Sequence, residues 1–130
     1  MSFSQTDDDG RELLKKDFKD VNVVAHIQIE KVEISEEFGK PSTTGGYTSY
    51  KFTGKIIEAF KGKIKKGETI IFYSVIEGQP PNEWLMRPRI RFLETYKTKT
   101  GQKNFGELEN SAREANETNL SMLRKIRKTA

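Results

Sequence analysis

The sequence predicts a mainly β domain: a small five-stranded barrel with a short N-terminal helix and an amphipathic C-terminal helix. Three observations lead there. Apolar residues alternate along several stretches and change parity within a stretch, the pattern a β-bulge leaves in a bending strand. Segments rich in Gly and Pro separate these stretches. The last segment switches to helical spacing and ends in basic residues, which a helix C-terminus favours. With 130 residues, 34% apolar and 32% charged, the chain holds material for one core, because two domains would each be marginal in size. We read residues 1–10 as a disordered acidic tail and 11–130 as a single domain that includes a helix over 111–128.

Residues 2–10 (SFSQTDDDG) show no apolar periodicity, and three adjacent aspartates repel one another. From Arg11, the residues Leu13, Leu14 and Phe18 fall at helical spacing, enough for one or two turns docked on the body. In the first strand, Val23 to Ile34, residues Val23, Ala25, Ile27 and Ile29 share a face. Val32 and Ile34 then continue in the opposite parity, which predicts a bulge near Glu30 and Lys31. Ser35 to Gly46 is a polar, turn-rich loop. Strand two, Tyr47 to about Phe60, carries Tyr50, Phe52 and Ile56 in one series and Ile57 and Ala59 in the other, so a second bulge is expected near Ile56. Gly54 marks a bend or a close approach. The connection KGKIKKGE (61–68) leads to strand three, Thr69 to Ile76, and EGQPPN (77–82) is the clearest break. Strand four, Trp84 to Leu93, alternates Trp84, Met86, Ile90 and Phe92 with Arg87, Arg89 and Arg91, interrupted by Pro88. A basic hairpin turn (97–103) with Gly101 and a short strand at 105–108 complete the sheet. Ser111 and Glu114 have capping-box spacing, and a stripe from Ala112 to Ile126 should pack on the barrel, leaving Arg124, Lys125, Arg127 and Lys128 to solvent.

Composition narrows the chemistry. The chain has no cysteine, which removes disulfides, thiol nucleophiles and thiolate metal sites. No apolar run approaches the roughly 18 residues that span a bilayer, and residues 1–15 lack the apolar segment of a secretory signal. The formal charge of +4 divides unevenly: 8 Lys and Arg face 11 Asp and Glu in residues 1–60, whereas 15 face 8 in residues 61–130. The second half thus suits an acidic partner or simply a solvated surface. His26 is the single histidine and has no nucleophile elbow or metal-ligand spacing around it. Asp7, Asp8 and Asp9 lack the alternation of a calcium loop, and Lys61-Gly62-Lys63 lacks the glycine spacing of a phosphate loop. The sequons at Asn116 and Asn119 fall in the expected helix and carry no function. No enzyme activity, cofactor or metal is expected.

Strands one to three resemble the netrin-like, or tissue-inhibitor-of-metalloproteinases-like, family. The resemblance rests on Asp20, Val23, Val24, Ala25 and Ile27, then on Tyr50, Phe52, Ile56, Phe60, Lys61, Gly62, Lys65, Lys66, Gly67 and Thr69, and finally on Trp84. It covers roughly residues 13 to 108 and implies an OB-type barrel with flanking helices. Inhibitors in that family chelate zinc through an N-terminal cysteine, which this chain lacks. Bacterial proteins resembling the barrel are usually exported, so the resemblance implies a periplasmic or secreted location if a signal peptide precedes the sequence.

Arg87, Arg89 and Arg91 alternate along the fourth strand, which would space their guanidinium groups by about 6.6 Å, comparable to phosphates along a nucleic-acid strand. Tyr47, Tyr50, Tyr73 and Tyr96 supply candidate stacking platforms. The same row equally suits a structural part, covered by the C-terminal helix or paired with Glu114 and Glu117. The leading expectation is a monomeric, non-enzymatic binding module that contacts a protein or envelope component. Tyr47, Tyr50, Arg87, Arg89 and Arg91 are its candidate contact residues. Single-stranded nucleic-acid binding through the basic strand is the alternative.

Overall fold

The computed structural model describes residues 3–36 and 46–129, with side chains from Gly10 onward. Its elements are α1 (Phe3–Asp20), β1 (Val23–Ile34), β2 (Tyr47–Lys61), β3 (Thr69–Glu77), α2 (Asn82–Leu85), β4 (Arg89–Lys97), β5 (Lys103–Glu107), β6 (Arg113–Glu114) and α3 (Glu117–Thr129). The first five strands close into a barrel. β1 pairs antiparallel with β2, β2 with β3, β5 with β4, and β4 back with β1, while β3 and β5 run parallel. This is an OB-like closed sheet. The expected five-stranded barrel with two flanking helices is what forms, and β6 adds a two-residue pairing to the edge of β4.

The parity changes have the expected cause. Ile29 faces Gly54 while Lys31 faces Thr53, so Glu30 is the extra residue of a bulge. Ile27 faces Ile56 and His26 faces Glu58, which leaves Ile57 as the extra residue on β2. Each bulge bends its strand around the barrel and returns the apolar series to the interior. That interior is filled by Val23, Ala25, Ile27, Ile29, Tyr50, Phe52, Ile56, Ile70, Phe72, Leu85 and Leu93. The rings of Phe52 and Phe72 stack there with centroids 5.0 Å apart.

A second core lies outside the barrel. Leu14 and Phe18 of α1 and Leu123 of α3 cover Val24 of β1, Phe60 of β2, and Ile90 and Phe92 of β4. Both helices are also tied down by charge. Lys61 Nζ donates to the Phe18 carbonyl at 2.7 Å, at the end of α1 where the helix dipole favours a cation. Arg113 pairs with Asp17 at 3.0 Å. Arg124 grips Glu58 through Nε and Nη2 at 3.0 and 2.7 Å, and Arg127 reaches the same carboxylate at 3.2 Å.

Several sequence expectations need correction. α1 is 18 residues long and starts at Phe3, so its backbone runs through most of the stretch read as a tail. The packing signal begins only at Leu13, and the earlier turns extend a helix already nucleated by the docked residues. The helix expected over 111–128 begins at Glu117, because Ser111 Oγ instead donates to the Leu108 carbonyl at 2.5 Å and Arg113–Glu114 is captured as β6. Asn116 caps α3, its Oδ1 accepting from the Asn119 amide at 2.9 Å. Trp84 is not in a strand: it belongs to the single turn α2, and β4 starts after Pro88. The C-terminal basic cluster is only partly free, since Arg124 and Arg127 hold Glu58. The loop expected over 35–46 falls largely on residues outside those described.

Two glycines make opposite predictions. A Cβ on Gly54 would stand 2.6 Å from Ile27 Cγ2 and 2.7 Å from the Gln28 carbonyl oxygen, and the carbonyl cannot swing aside within the sheet. Gly54→Ala should cost about 1–3 kcal/mol in urea unfolding. Gly10 lies inside α1 with open space at its Cβ position, so Gly10→Ala should gain about 0.4–1 kcal/mol. Glu58 gives a pH prediction. Its hydrogen bond from Arg124, aided by the charges of Arg124 and Arg127, holds its carboxyl below the ordinary value of 4.5. Its stabilisation is therefore present above that value and lost as pH falls through the lower folded value. Glu58→Gln should lower the urea midpoint at neutral pH, and the gap to the wild type should narrow at about pH 3.

Candidate functional site

The structure separates the expected contact residues. Tyr47 is 55% exposed at the start of β2, whereas Tyr50 is 4% exposed and lies in the barrel beside Phe52. Arg87 is exposed in the turn before β4. Arg89 is half-buried, its guanidinium 4.2 Å from the centroid of the Trp84 ring and its Nη1 donating to the Trp84 carbonyl at 2.9 Å. Arg91 is 2% exposed and faces the barrel interior. A row of three guanidinium groups on one open sheet face therefore does not form. Pro88 ends the extended run before Arg87, and the inward parity of β4 carries Arg91 and Leu93.

Arg91 and Glu107 make a buried ion pair inside the barrel. Arg91 Nη1 donates to both carboxylate oxygens of Glu107 at 3.2 and 3.1 Å, and Ser74 Oγ donates to Oε1 at 2.7 Å. The guanidinium sits 5.2 and 5.5 Å from the centroids of Phe52 and Phe72, where the ring faces offset part of its lost hydration. Nε and Nη2 of Arg91 find no partner among the described residues. Buried donors without acceptors are costly, typically about 1–3 kcal/mol each.

A different surface lies open on the outer face of β2 and β3. Tyr47 stands opposite Glu77, Ser49 opposite Val75, Lys51 opposite Tyr73 and Thr53 opposite Ile71. Ile71 and Val75 are 44% and 40% exposed. A groove of about 900 Å³ crosses this face, lined by Tyr47, Tyr73, Val75, Tyr96, Glu94 and Glu109 among others. Next to Tyr73 and Tyr96 the surface takes in Lys97 at the end of β4 and Lys99 of the following turn, with Glu36, and a further depression bordered by Tyr73 holds Lys51, Lys63 and Lys103 with Glu68. Sequence reasoning named Tyr47 but passed over Val75 and Ile71, because β3 alternates two apolar series and neither is marked as outward.

His26 lies half-buried opposite Glu58 and Ile90. Burial pushes its imidazole pKa below the ordinary value; Glu58 opposes that shift and Arg124 adds to it. Among the described residues no three His, Cys, Asp or Glu side chains gather closely enough to hold a metal ion, and the side chains of Asp7, Asp8 and Asp9 lie outside that set. No described helix is long and apolar enough to cross a membrane. Comparison with protein-family models, with curated proteins and with solved structures gives no match. The class of protein is thus defined by the fold: a small closed OB-like barrel with two helices on one side and an uncovered sheet on the other.

The buried pair gives a stability prediction. Arg91→Ala leaves Glu107 charged and unpaired in the interior and should cost about 3–5 kcal/mol in urea unfolding. The double variant Arg91→Met, Glu107→Leu should recover most of that loss. A single-variant loss under about 1 kcal/mol would show that water reaches the pair freely.

Proposed function

We propose that this chain is a non-enzymatic binding module that docks a protein partner on the outer face of β2 and β3. One observation carries the reading: Tyr47, Ile71 and Val75 are large, apolar or aromatic, exposed and on one sheet face, while the helices cover the outer surface around Val24, Phe60, Ile90 and Phe92. Grouped exposed apolar residues with a polar rim mark interaction surfaces. Charge reverses along this face, from Glu94 and Glu109 at one end to Lys97 and Lys99 at the other. A protein with an apolar centre and flanks of opposite sign complements both ends, whereas a uniform polyanion is repelled by one of them. The netrin-like resemblance rests on the strand motifs, and under it the module would act on a protein or envelope component in the periplasm or outside the cell. The zinc-chelating inhibition of that family has no cysteine to carry it here.

Single-stranded nucleic-acid binding is the second reading, moved from the arginines to Tyr73 and Tyr96 with Lys51, Lys97, Lys99 and Lys103. One set of measurements tests both. Peptides that vary in net charge at constant apolar content should bind best when basic at one end and acidic at the other. Val75→Glu and Tyr47→Ser should each weaken that binding about tenfold or more with little change in stability, since both residues are exposed. Binding that ignores both substitutions, or no peptide binding at all, sinks the docking reading. Salt-sensitive retention of labelled oligothymidine that disappears when Lys97, Lys99 and Lys103 become Ser would replace it with the second.

A further inference from the structure

We propose that the unpaired edge of β3 at Val75 and Glu77 takes up an extended, basic-ended segment of a protein partner as an added strand. The inference rests on the docking reading above and gives the mode in which the partner is held. β5 runs parallel to β3, but it pairs only Phe105 with Phe72 and Gly106 with Tyr73, whereas β3 continues to Glu77. The ladder between β2 and β3 fixes where the main-chain groups point. At one end the Gly78 amide donates to the Gly46 carbonyl at 2.9 Å, at the other the Ile56 amide donates to the Glu68 carbonyl at 2.9 Å, and the register between them does not shift. Even-numbered residues of β3 therefore bond to β2, and odd-numbered ones turn N–H and C=O to the opposite edge. At Tyr73 that edge meets β5. Past it, the main-chain groups of Val75 and Glu77 have no partner among the described residues.

Space and charge suit such a segment. Residues 74–77 line one wall of a cavity of about 500 Å³ and residues 107–112 the other, where the chain leaves β3 and the Leu108 amide turns to the Phe92 carbonyl at 2.9 Å. Consecutive residues of a strand share a wall when its edge, and not one face, borders the space. Val75 and Glu77 are both exposed. Tyr47 and Val75 also line the larger groove, so an added strand held by main-chain bonds sets every second side chain against the exposed apolar residues. Arg91 and Glu107 pair with each other. Of the other charges around the two cavities, the exposed carboxylates of Glu77, Glu94 and Glu109 outnumber Arg89. The end of the segment that lies there is therefore basic, and a second copy of the same acidic edge is repelled.

Amide hydrogen exchange followed residue by residue tests the edge in the free protein. Val75 and Glu77 should exchange at least about tenfold faster than Ser74 and Ile76, whose amides bond to β2. The mode of binding is read with a capped peptide of alternating valine and threonine between a lysine end and a glutamate end, which should slow exchange at Val75 and Glu77. N-methylation of one alternate set of its amides should weaken binding about tenfold or more and of the other set leave it unchanged, because only one set faces β3. Val75→Pro removes an edge donor without touching the β2 ladder, and should weaken the peptide at least about fivefold more than Val75→Ala, which keeps that donor. Should Val75→Pro fail to fold, the methylation pattern on the wild type decides the matter. Binding that is lost in Val75→Glu yet indifferent to which set is methylated would overturn the added strand and leave the docking reading standing, whereas no peptide binding sinks both. Slow exchange of Val75 and Glu77 in the free protein, or a dimer that Val75→Pro dissociates, would overturn the proposal as well.

Discussion

The pairing of β1 with β4 is the constraint on which the rest of the structure depends. Val23 faces Leu93 and Ile27 faces Arg89 across that seam, and without it the sheet would be open, with two unpaired edges. Closure also buries β1 on both faces. Val23, Ala25 and Ile27 fill the barrel, and Val24 lies under the helices. Once β1 and β4 demand cover on their outer faces, α1 and α3 have one place to go. The outer faces of β3 and of the first half of β2 are then left without a helix, and Tyr47, Ile71 and Val75 lie exposed there.

The barrel interior is not uniformly apolar, and its one polar end follows from the same geometry. At the β4–β5 pairing Leu93 faces Glu107, with Arg91 two residues along the same inward series. A lone charge there would be prohibitive, and the pair is tolerable because each partner finds the other, Ser74 adds a donor and two phenylalanine rings lie under the guanidinium. Well-packed apolar residues would fill the same volume at no electrostatic cost.

Much of the barrel was legible because a bulge leaves a trace in sequence. The parity changes at Glu30 and near Ile56 are one-residue insertions, and no other local event shifts an alternating series in that way. The turn with Gly101 was legible for a similar reason, since Gly101 takes a φ of 85°. Alternation fails where both faces are buried. In β4 the alternation of Ile90 and Phe92 with Arg89 and Arg91 is real, but it does not say which series faces the barrel. The chemically natural guess, arginines outward, is reversed, because the outer series meets Leu14, Phe18 and Leu123 instead of water. The Ser111–Glu114 spacing misled in another way. A capping box is a local signal, and it lost to a tertiary one when Arg113 was drawn to Asp17 and to the edge of β4.

The charge asymmetry of the chain acquires a location by the same reasoning. Of the basic residues gathered in α3, Arg124 and Arg127 are spent on Glu58 of β2, and Arg127 Nη1 also donates to the Ala59 carbonyl at 2.8 Å. They fasten the helix to the barrel and contribute little to a free positive surface. The lysines around the β4–β5 turn are placed differently. Lys97, Lys99 and Lys103 are all exposed, and they border the tyrosine-lined sheet that the helices leave open. The positive excess of the second half is therefore divided between fastening one face of the barrel and charging one end of the sheet that the helices leave open.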